Sequence, residues 1–307
     1  MVRHHLKKTT HMSTSKIQVL FDTPMLLGEC PLWHPDEQAL YWIDIAGRAV
    51  HRLHPKSNEH VTWSLPSEPG CIARCADGGL VVAMRSGVEI LDTISGKLSP
   101  LLDAPFDQSR VRFNDGRCDA QGRLWVGTLY EPRDRPGATL YCVDRGVIRD
   151  VGNPVTVSNG VAFSVDNSIL YHADTTAHCI RTYDFDVGTG RLGKSRIFKQ
   201  FSTDKTKDYG GRPDGAVVDS ENAYWCAMYE GGRLLRLAAN GDVLDEIHLP
   251  VRCPTMMAFG GEDLRTLFVT TARHNRSDEE LKMYPLSGCV LSLHVDVPGR
   301  IEPAYLS

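Results

Sequence analysis

The chain has 307 residues, of which 42% are hydrophobic and 23% are charged, a composition typical of a globular protein with a substantial core. Its 34 basic and 38 acidic residues leave a formal net charge of −4, which disfavours a nucleic-acid partner because such partners select a concentrated basic surface. No window approaches the roughly 20 apolar residues that cross a bilayer, so the sequence predicts no membrane-spanning helix.

Residues 1–14 are polar and basic and lack the apolar stretch of a secretory signal. We interpret them as a disordered tail or an expression remnant, and we place a single folded domain at residues 15–307. The nine cysteines are scattered, with no CxxC motif and no paired Cys/His spacing. This usage predicts reduced thiols in a cytoplasmic protein rather than a zinc–thiolate site.

Six short runs rich in β-branched and aromatic residues recur along the chain at intervals of 40 to 54 positions. In order they are LYWID (40–44), LVVAM (80–84), LWVGT (124–128), LYHAD (170–174), YWCAM (224–228) and LFVTT (267–271). Each run follows a polar turn and is followed by a second strand-like run. Such runs are too short for average helices and have the composition of strands.

A period of about 40–50 residues with several strands in each unit is the signature of propeller blades. Six such units account for almost the whole chain after the tail, so the sequence predicts an all-β, six-bladed β-propeller with a central metal site. The alternative is a β-sandwich with accidental spacing. Helical periodicity appears only at residues 278–284, and two polar insertions, 129–138 and 202–213, predict long loops that carry binding residues.

Three segments place an oxygen-bearing side chain beside Gly or Pro at the entry to a blade: GECPLW (28–33), SNGVAF (158–163) and RPDGAVVD (212–219). Their candidate groups are Glu29, Asn159 and Asp214. A closed ring of blades brings such distant positions together, and two carboxylates with one amide carbonyl form an all-oxygen donor set that suits Ca²⁺, Mg²⁺ or Mn²⁺. The alternative is that the NG and DG pairs only form turns.

A fourth segment, RFNDGRCDAQGRLWVGT (112–128), contributes Arg112, Asn114 and Asp115. Arg112 presents a planar fork of donors, and Asn114 both donates and accepts, which suits a polyhydroxylated ligand. The alternative is a plain turn at residues 114–116 with Arg112 paired to a surface acid. The chain has no GxSxG, HExxH or GxxxxGK[ST] motif, and the histidines near strand ends, His34, His172 and His274, are more typical of hydrogen-bonded residues than of catalysts.

Together with CPTMMAFGGEDLRTLFVTTA (253–272), these segments resemble the regucalcin (senescence marker protein)/gluconolactonase family, in order and at blade spacing over residues 17–305. The resemblance implies a propeller with one divalent metal held by Glu29, Asn159 and Asp214. It also implies sugar contacts from Arg112, Asn114 and an acid in the loop after the third run, for which Glu131 is the nearest candidate. One departure is Cys30, where the family usually has Gly, and this side chain is expected to alter the backbone turn beside Glu29.

The resemblance implies metal-dependent hydrolysis of a sugar (aldono-) lactone to its sugar acid. The cofactor is then one divalent ion, Ca, Mg, Mn or Zn, which polarises the carbonyl. Asp214 is our candidate for the general base, with Glu29 as the rival. Two alternatives stay open: a non-enzymatic, calcium-binding propeller, and a hydrolase of other esters or organophosphates. The small-molecule partner is the lactone, and nothing in the sequence indicates an oligomeric state.

Overall fold

The structure is a computed structural model that describes residues 16–207 and 209–307. These residues form six four-stranded antiparallel sheets, and the first strand of each sheet contacts the first strands of its two neighbours in a closed ring. The six-bladed β-propeller predicted from the repeat is therefore confirmed. The predicted tail, residues 1–14, lies outside the described part of the chain.

The first three blades follow the chain in order from the axis outwards. Blade 1 consists of β2 (Gly28–His34), β3 (Ala39–Asp44), β4 (Ala49–His54) and β5 (Glu59–Ser64). Blade 2 consists of β6 (Pro69–Arg74), β7 (Leu80–Met84), β8 (Gly87–Leu91) and β9 (Leu98–Asp103). Blade 3 consists of β10 (Val111–Cys118), β11 (Leu124–Tyr130), β12 (Leu140–Asp144) and β13 (Val147–Asp150).

The last blade closes the ring with a strand from the other end of the sequence. Blade 4 consists of β14 (Ser158–Phe163), β15 (Ile169–Asp174), β16 (Cys179–Asp186) and β17 (Arg191–Gln200). Blade 5 consists of β18 (Arg212–Val218), β19 (Tyr224–Tyr229), β20 (Arg233–Leu237) and β21 (Val243–His248). Blade 6 consists of β22 (Pro254–Gly260), β23 (Thr266–Thr271), β24 (Val290–His294) and β1 (Gln18–Phe21), with Val19 opposite Leu291.

The six recurring runs form the second strand of each blade. These strands are buried on both faces because neighbouring blades pack against each side, which is why the runs are continuously apolar rather than alternating. Trp125 and Trp225 lie at equivalent places on β11 and β19, Trp42 lies on β3, and all three are fully buried. Truncating such a side chain to Ala typically costs about 3–5 kcal/mol. The helical turn predicted at 278–284 is α1 (Asp278–Met283), with Ser277 as its N-cap.

A β-bulge interrupts every inner strand near its first residues. The register shifts lie at Glu29/Leu32, Pro69/Cys71, Phe113/Gly116, Asn159/Ala162, Pro213/Ala216 and Pro254/Met256. A bulge places two residues opposite one and turns a side chain away from its regular direction. Six bulges at one level therefore turn side chains towards the axis at one end of the central channel.

The arginine Arg117 crosses this channel below the bulges. Its Nε donates to Val161 O at 3.0 Å and its Nη2 donates to Ala216 O at 2.6 Å, so it joins the inner strands of blades 3, 4 and 5. Its Nη1 forms an ion pair with Glu302 in the segment that follows β24. That segment continues across the same face, where Tyr305 N donates to Arg74 O at 2.7 Å. The far end of the channel is therefore occupied by protein.

The remaining predictions at the level of the whole chain concern cysteines and membranes. All nine cysteines are buried and none is paired in a disulfide. Within residues 16–207 and 209–307, no helix has both the length and the apolar character needed to cross a bilayer.

Blades 3 and 5 each have a buried aspartate, Asp119 and Asp219, in the turn before the second strand. Asp219 Oδ1 accepts from the amides of Glu221 and Ala223, both at 2.9 Å. Its Oδ2 accepts from Trp225 Nε1 at 2.8 Å and from Arg236 Nε at 2.7 Å. In blade 3, Asp119 accepts from the amides of Gln121 and Arg123, from Trp125 Nε1 and from Arg123 Nε, a guanidinium of the turn itself. One carboxylate thus fixes a turn, an indole and a cation at once.

Replacing Asp219 with Ala is expected to lower the free energy of unfolding by about 3 kcal/mol or more, because a buried indole N–H and a mostly buried guanidinium lose their shared acceptor. Urea denaturation measures this loss. Asp263→Ala is the matched control, since Asp263 is an exposed turn aspartate that accepts one backbone hydrogen bond, from Arg265 N. Equal losses in the two variants would contradict the role given to Asp219.

Candidate functional site

A cavity of about 800 Å³ opens at the bulged end of the channel and is lined by residues from all six blades. All six residues singled out in the sequence line it: Glu29, Arg112, Asn114, Glu131, Asn159 and Asp214. Five of them are buried, with exposed fractions of 9% or less, while Glu131 lies on the exposed rim. The closed ring therefore brings together residues that lie up to 185 positions apart in the sequence.

Two aspartates fix the backbone just before the predicted ligands. Asp44, the last residue of β3, accepts hydrogen bonds from the amides of Leu26 at 2.9 Å and Leu27 at 3.0 Å, two residues before Glu29. Asp174, the last residue of β15, accepts from Thr156 N at 3.0 Å and Val157 N at 3.3 Å, two residues before Asn159. The terminal Asp of the runs LYWID and LYHAD therefore anchors the entry to the neighbouring inner strand.

A chain of hydrogen bonds fixes both cavity amides. Arg112 can only donate, so its Nη1, 2.7 Å from Asn114 Oδ1, identifies that atom as the acceptor. Asn114 Nδ2 then donates to Ser158 O at 2.8 Å and to Asn159 Oδ1 at 2.9 Å.

The orientation of the second amide follows from its other contact. Asn159 Nδ2 donates at 2.7 Å to Thr175 Oγ1, whose own proton goes to Pro213 O at 2.7 Å. Asn159 therefore turns its carbonyl oxygen, an oxygen donor for a hard cation, towards Asn114 and the cavity.

Three buried carboxylates converge on the same level of the channel. Burial, and then the neighbouring Asp214 and Asp115, raise the pKa of Glu29 well above its usual range. Burial and Asp115 likewise raise the pKa of Asp214, against a lowering by Arg212 and Arg112. Burial raises the pKa of Asp115 to about 6. Several like charges in a low-dielectric channel destabilise one another unless protons or a cation compensate them.

The residues present fit a hard divalent cation. Among the described residues, the Glu29 carboxylate accepts one hydrogen bond, from Cys30 N at 3.3 Å, and the Asp214 carboxylate accepts no side-chain or long-range hydrogen bond. Each carboxylate therefore keeps an oxygen atom free to coordinate a cation. Residues 16–207 and 209–307 contain no group of three His, Cys, Asp or Glu placed to hold a metal. Coordination by Glu29, Asn159 and Asp214 stays a prediction.

Cys30 keeps the turn that a glycine would favour. Its φ is +46°, in the left-handed region, close to the +58° of Gly160 beside Asn159. The buried thiol donates to Ile72 O at 3.4 Å and accepts from Ile72 N at 3.3 Å, so it bridges blades 1 and 2. The side chain thus compensates the unfavourable backbone conformation without displacing Glu29 from the cavity.

Arg112 and Glu131, the predicted sugar contacts, lie on the same side of the cavity. Burial, with Arg85 as the next contribution, lowers the pKa of Arg112 to about 10, so this group is still protonated at neutral pH. The Glu131 carboxylate contacts Arg85, with Oε1 2.6 Å from Nη2, and Arg85 Nε also donates to Glu68 Oε2 at 3.0 Å. Glu131 therefore faces the cavity as part of an ion-pair network.

Sequence reasoning missed two groups that support the site. Asp115 has no role of its own in the interpretation of the sequence, where a turn at residues 114–116 is the alternative. In the structure its carboxylate is buried, with Oδ2 accepting from Val161 N and Oδ1 without a partner among the described residues. Thr175, which links Asn159 to Pro213, was not considered. Its signal was weak, since it is a single Thr after the run LYHAD. Of the three histidines considered, His274 lines the cavity.

His172 supports the strand that carries Asn159. Its Nε2 lies 2.6 Å from the hydroxyl of Ser158, and both side chains are buried. A Cβ on Gly127 would overlap this hydroxyl, so blade 3 presents glycine at the point of closest approach. Burial, and to a smaller degree Arg181, lowers the pKa of His172 to about 4. The native state therefore holds a neutral imidazole at this position.

Comparisons with known proteins assign the family. Residues 27–273 match the family described as SMP-30/Gluconolactonase/LRE-like region. The chain is 48% identical to a 6-deoxy-6-sulfogluconolactonase of Pseudomonas putida, over 92% of this chain and 96% of that protein. It is 35% identical to a pentonolactonase of Haloferax volcanii, over 92% and 95% respectively. A solved structure of regucalcin from Agrobacterium tumefaciens, described as a calcium-binding protein, matches with a TM-score of 0.88 at 30% identity, over 94% and 96%.

The fold, the cavity and these similarities together define a β-propeller enzyme of the lactonase class. The chain belongs to the SMP-30/gluconolactonase/LRE-like family.

The low pKa of His172 predicts a specific pH dependence of stability. Below about pH 6.5 the unfolded chain protonates this histidine while the native state does not until about pH 4, so protonation favours unfolding by up to about 1.4 kcal/mol per pH unit in this window. His172→Gln is therefore expected to lose less stability than the wild type between pH 6.5 and 4. Urea denaturation at intervals of half a pH unit measures both slopes, and identical slopes would exclude a neutral, buried His172.

Proposed function

We propose that the chain hydrolyses a sugar lactone to its sugar acid, with one divalent cation held by Glu29, Asn159 and Asp214. The observation that carries this proposal is the cluster of buried carboxylates beside an oriented amide oxygen, facing a cavity whose wall carries hydrogen-bond donors. The same donor set accepts Ca²⁺, Mg²⁺ or Mn²⁺ by its chemistry, and Zn²⁺ is included in the test.

A cation bound there supplies Lewis-acid stabilisation of the lactone carbonyl oxygen and lowers the pKa of a nearby water. Asp214 takes the proton from the attacking water and later supplies it to the departing ring oxygen. Glu29 is the rival for this base. Arg112, with a charged guanidinium at the wall, and Asn114 orient the sugar hydroxyls over the reacting carbon, which makes attack on the carbonyl effectively unimolecular.

The names of the relatives guide the choice of substrates. The Pseudomonas putida relative is named for 6-deoxy-6-sulfogluconolactone and the Haloferax volcanii relative for pentonolactones. The first assay is therefore a pH-indicator measurement with these lactones and with glucono-, galactono-, xylono- and arabinonolactone. The chelator-treated protein is measured alone and with added Ca²⁺, Mg²⁺, Mn²⁺ or Zn²⁺, after subtraction of spontaneous hydrolysis. We expect turnover that depends on the metal.

Replacing Asp214 with Ala is expected to lower kcat by at least about 10²-fold, because proton transfer by a positioned base typically contributes about 10²–10⁴ in rate. Since a cation ligand is lost as well, calorimetric titration is expected to show weaker metal binding, and excess metal is not expected to restore turnover. Asp184→Ala, which removes an exposed aspartate on β16, is the control. Full turnover by Asp214→Ala would refute its role.

Replacing Arg112 with Ala tests the substrate contact separately from metal binding. We expect KM to rise, and kcat to fall too if the contact strengthens in the transition state. Arg112 is joined to Asn159 only through Asn114, and its positive charge opposes a cation at the neighbouring carboxylates, so metal affinity is not expected to fall. Loss of metal binding in this variant would show that Arg112 acts mainly by orienting Asn114 and Asn159 through their hydrogen bonds, and not by contacting the substrate.

The non-enzymatic alternative is decided by the same measurements. If the wild type binds a divalent ion tightly and hydrolyses none of the lactones, the ion is structural and the proposed function is wrong. Hydrolysis of other esters or organophosphates in preference to lactones would support the second alternative, a hydrolase of those substrates.

A further inference from the structure

The cavity has a positive charge balance although the chain as a whole is negative. Six arginines line it, Arg48, Arg85, Arg112, Arg133, Arg212 and Arg276, against the four carboxylates Glu29, Glu68, Glu131 and Asp214. The described lining thus has a formal charge of +2, whereas the whole chain has −4. A bound divalent cation would raise this excess further. A cavity of one sign of charge attracts and selects ligands of the opposite sign.

Three of these arginines lie in equivalent loops of consecutive blades. Arg48, Arg85 and Arg133 each lie in the loop that joins the second strand to the third, in blades 1, 2 and 3, on the face where the cavity opens. In the sequence they stand in IAGRAV, MRSGV and EPRDRPG. Blades 1 to 3 therefore place an arc of guanidinium groups along one side of the rim.

Only the middle arginine of this arc is neutralised. Arg85 contacts Glu68 and Glu131, with nitrogen–oxygen distances of 3.0 and 2.6 Å. Within the described residues, the side chains of Arg48 and Arg133 form neither an ion pair nor a hydrogen bond, and both are exposed to the cavity mouth. Two unpaired cations thus flank a paired one.

The arginines on the opposite side of the cavity are committed to carboxylates. Arg276 forms a two-point contact with Glu280, at 2.6 and 2.7 Å, and a further contact with Glu230 at 3.1 Å. Arg212 lies 3.3 Å from Glu230. Because Arg212 and Arg276 already pair with carboxylates of the protein, the arginines available to bind an anionic ligand are those of blades 1 to 3.

This side is also the wall that carries Arg112 and Asn114. A lactone oriented by these two residues, with its carbonyl towards Asp214 at the floor, extends its remaining carbons towards the rim. The volume of about 800 Å³ lies in the upper part of the range of about 300–1,000 Å³ found for ligand pockets, so a substituted sugar is accommodated.

We infer that Arg48 and Arg133 form a subsite for a tetrahedral oxyanion, a sulfonate or a phosphate ester, carried by the sugar lactone on the carbon farthest from its carbonyl. This inference rests on the proposed lactone hydrolysis. Guanidinium groups suit such an anion because they donate two parallel hydrogen bonds with a full charge. The subsite makes the enzyme selective for anionic lactones over neutral ones.

The test compares three substrates that differ only at carbon 6: gluconolactone, 6-phosphogluconolactone and 6-deoxy-6-sulfogluconolactone. The wild type is expected to show a lower KM for at least one anionic lactone than for the neutral one. The two anionic substrates distinguish a phosphate subsite from a sulfonate subsite. Raising the salt concentration is expected to raise KM for the anionic lactone only, because ions screen exposed charges.

The double variant Arg48→Ala/Arg133→Ala is expected to raise KM for the preferred anionic lactone roughly tenfold, about 1.4 kcal/mol. Its kcat/KM for gluconolactone is expected to stay within about twofold of the wild type, since neither residue contacts the reacting end. Arg145→Ala is the matched control. Arg145 is an exposed arginine in a hairpin turn of blade 3 at the other end of its strand, with a φ of +45° against +52° and +55° for Arg48 and Arg133.

Two results would overturn the inference: a wild type that does not prefer either anionic lactone, and a double variant that loses neutral and anionic turnover to the same extent. Binding separates this failure from failure of the proposed function. Calorimetric titration with 6-phosphogluconate, 6-deoxy-6-sulfogluconate and gluconate needs no turnover. If an acid with a phosphate or sulfonate at carbon 6 binds more tightly than gluconate, and the double variant loses this difference, the subsite is supported even if no lactone is hydrolysed. Equal binding of all three acids refutes it.

Discussion

Closure of six inner strands around one axis is the constraint on which this molecule depends. Where neighbouring inner strands approach most closely, a side chain has almost no room. A Cβ on Gly70 would overlap the backbone of Phe113, one on Gly160 would overlap the hydroxyl of Tyr224, and one on Gly215 would overlap Met256. The bulges at this level absorb the crowding and leave only selected side chains pointing inwards. The shape of the ring therefore determines which positions can carry chemistry.

The electrostatics of the channel follow from that geometry. Residues brought to the axis share a small volume from which bulk water is largely removed. This burial raises the pKa values of Glu29, Asp115 and Asp214, and the Asp115 carboxylate raises those of Glu29 and Asp214 further. Hydrogen bonds from backbone amides and positive charges on neighbouring side chains compensate only part of the negative charge of these carboxylates. The rest is available to a cation, and the amide of Asn159 is already oriented by Thr175 to contribute an oxygen. Binding a cation would convert mutual repulsion into coordination.

The sequence was sufficient for the blades because strand composition, turn chemistry and spacing all repeat with one period. It also identified Glu29, Asn159 and Asp214 as candidates, since motifs at blade entries fall at equivalent places of a ring. The role of Asp115 was missed because an NDG triplet is equally typical of an exposed turn, whereas in the fold this residue lies in the bulge of β10 and its side chain is buried. The arc of rim arginines was missed for a similar reason: which cations are paired depends on contacts between blades, not on neighbours in the chain.

The pairing of β1 with β24 has a consequence for how the protein folds. Its partners, such as Val19 and Leu291, are separated by nearly the full length of the chain, so the ring cannot close until blade 6 has been synthesised. Contacts between such distant residues are slow to form because a large loop entropy has to be overcome first. Until β1 pairs, β24 has an unpaired edge, and such an edge favours association with other chains. Blades 1, 4 and 5 meet at the axis only on closure, so affinity for a cation would appear late and would favour the completed ring.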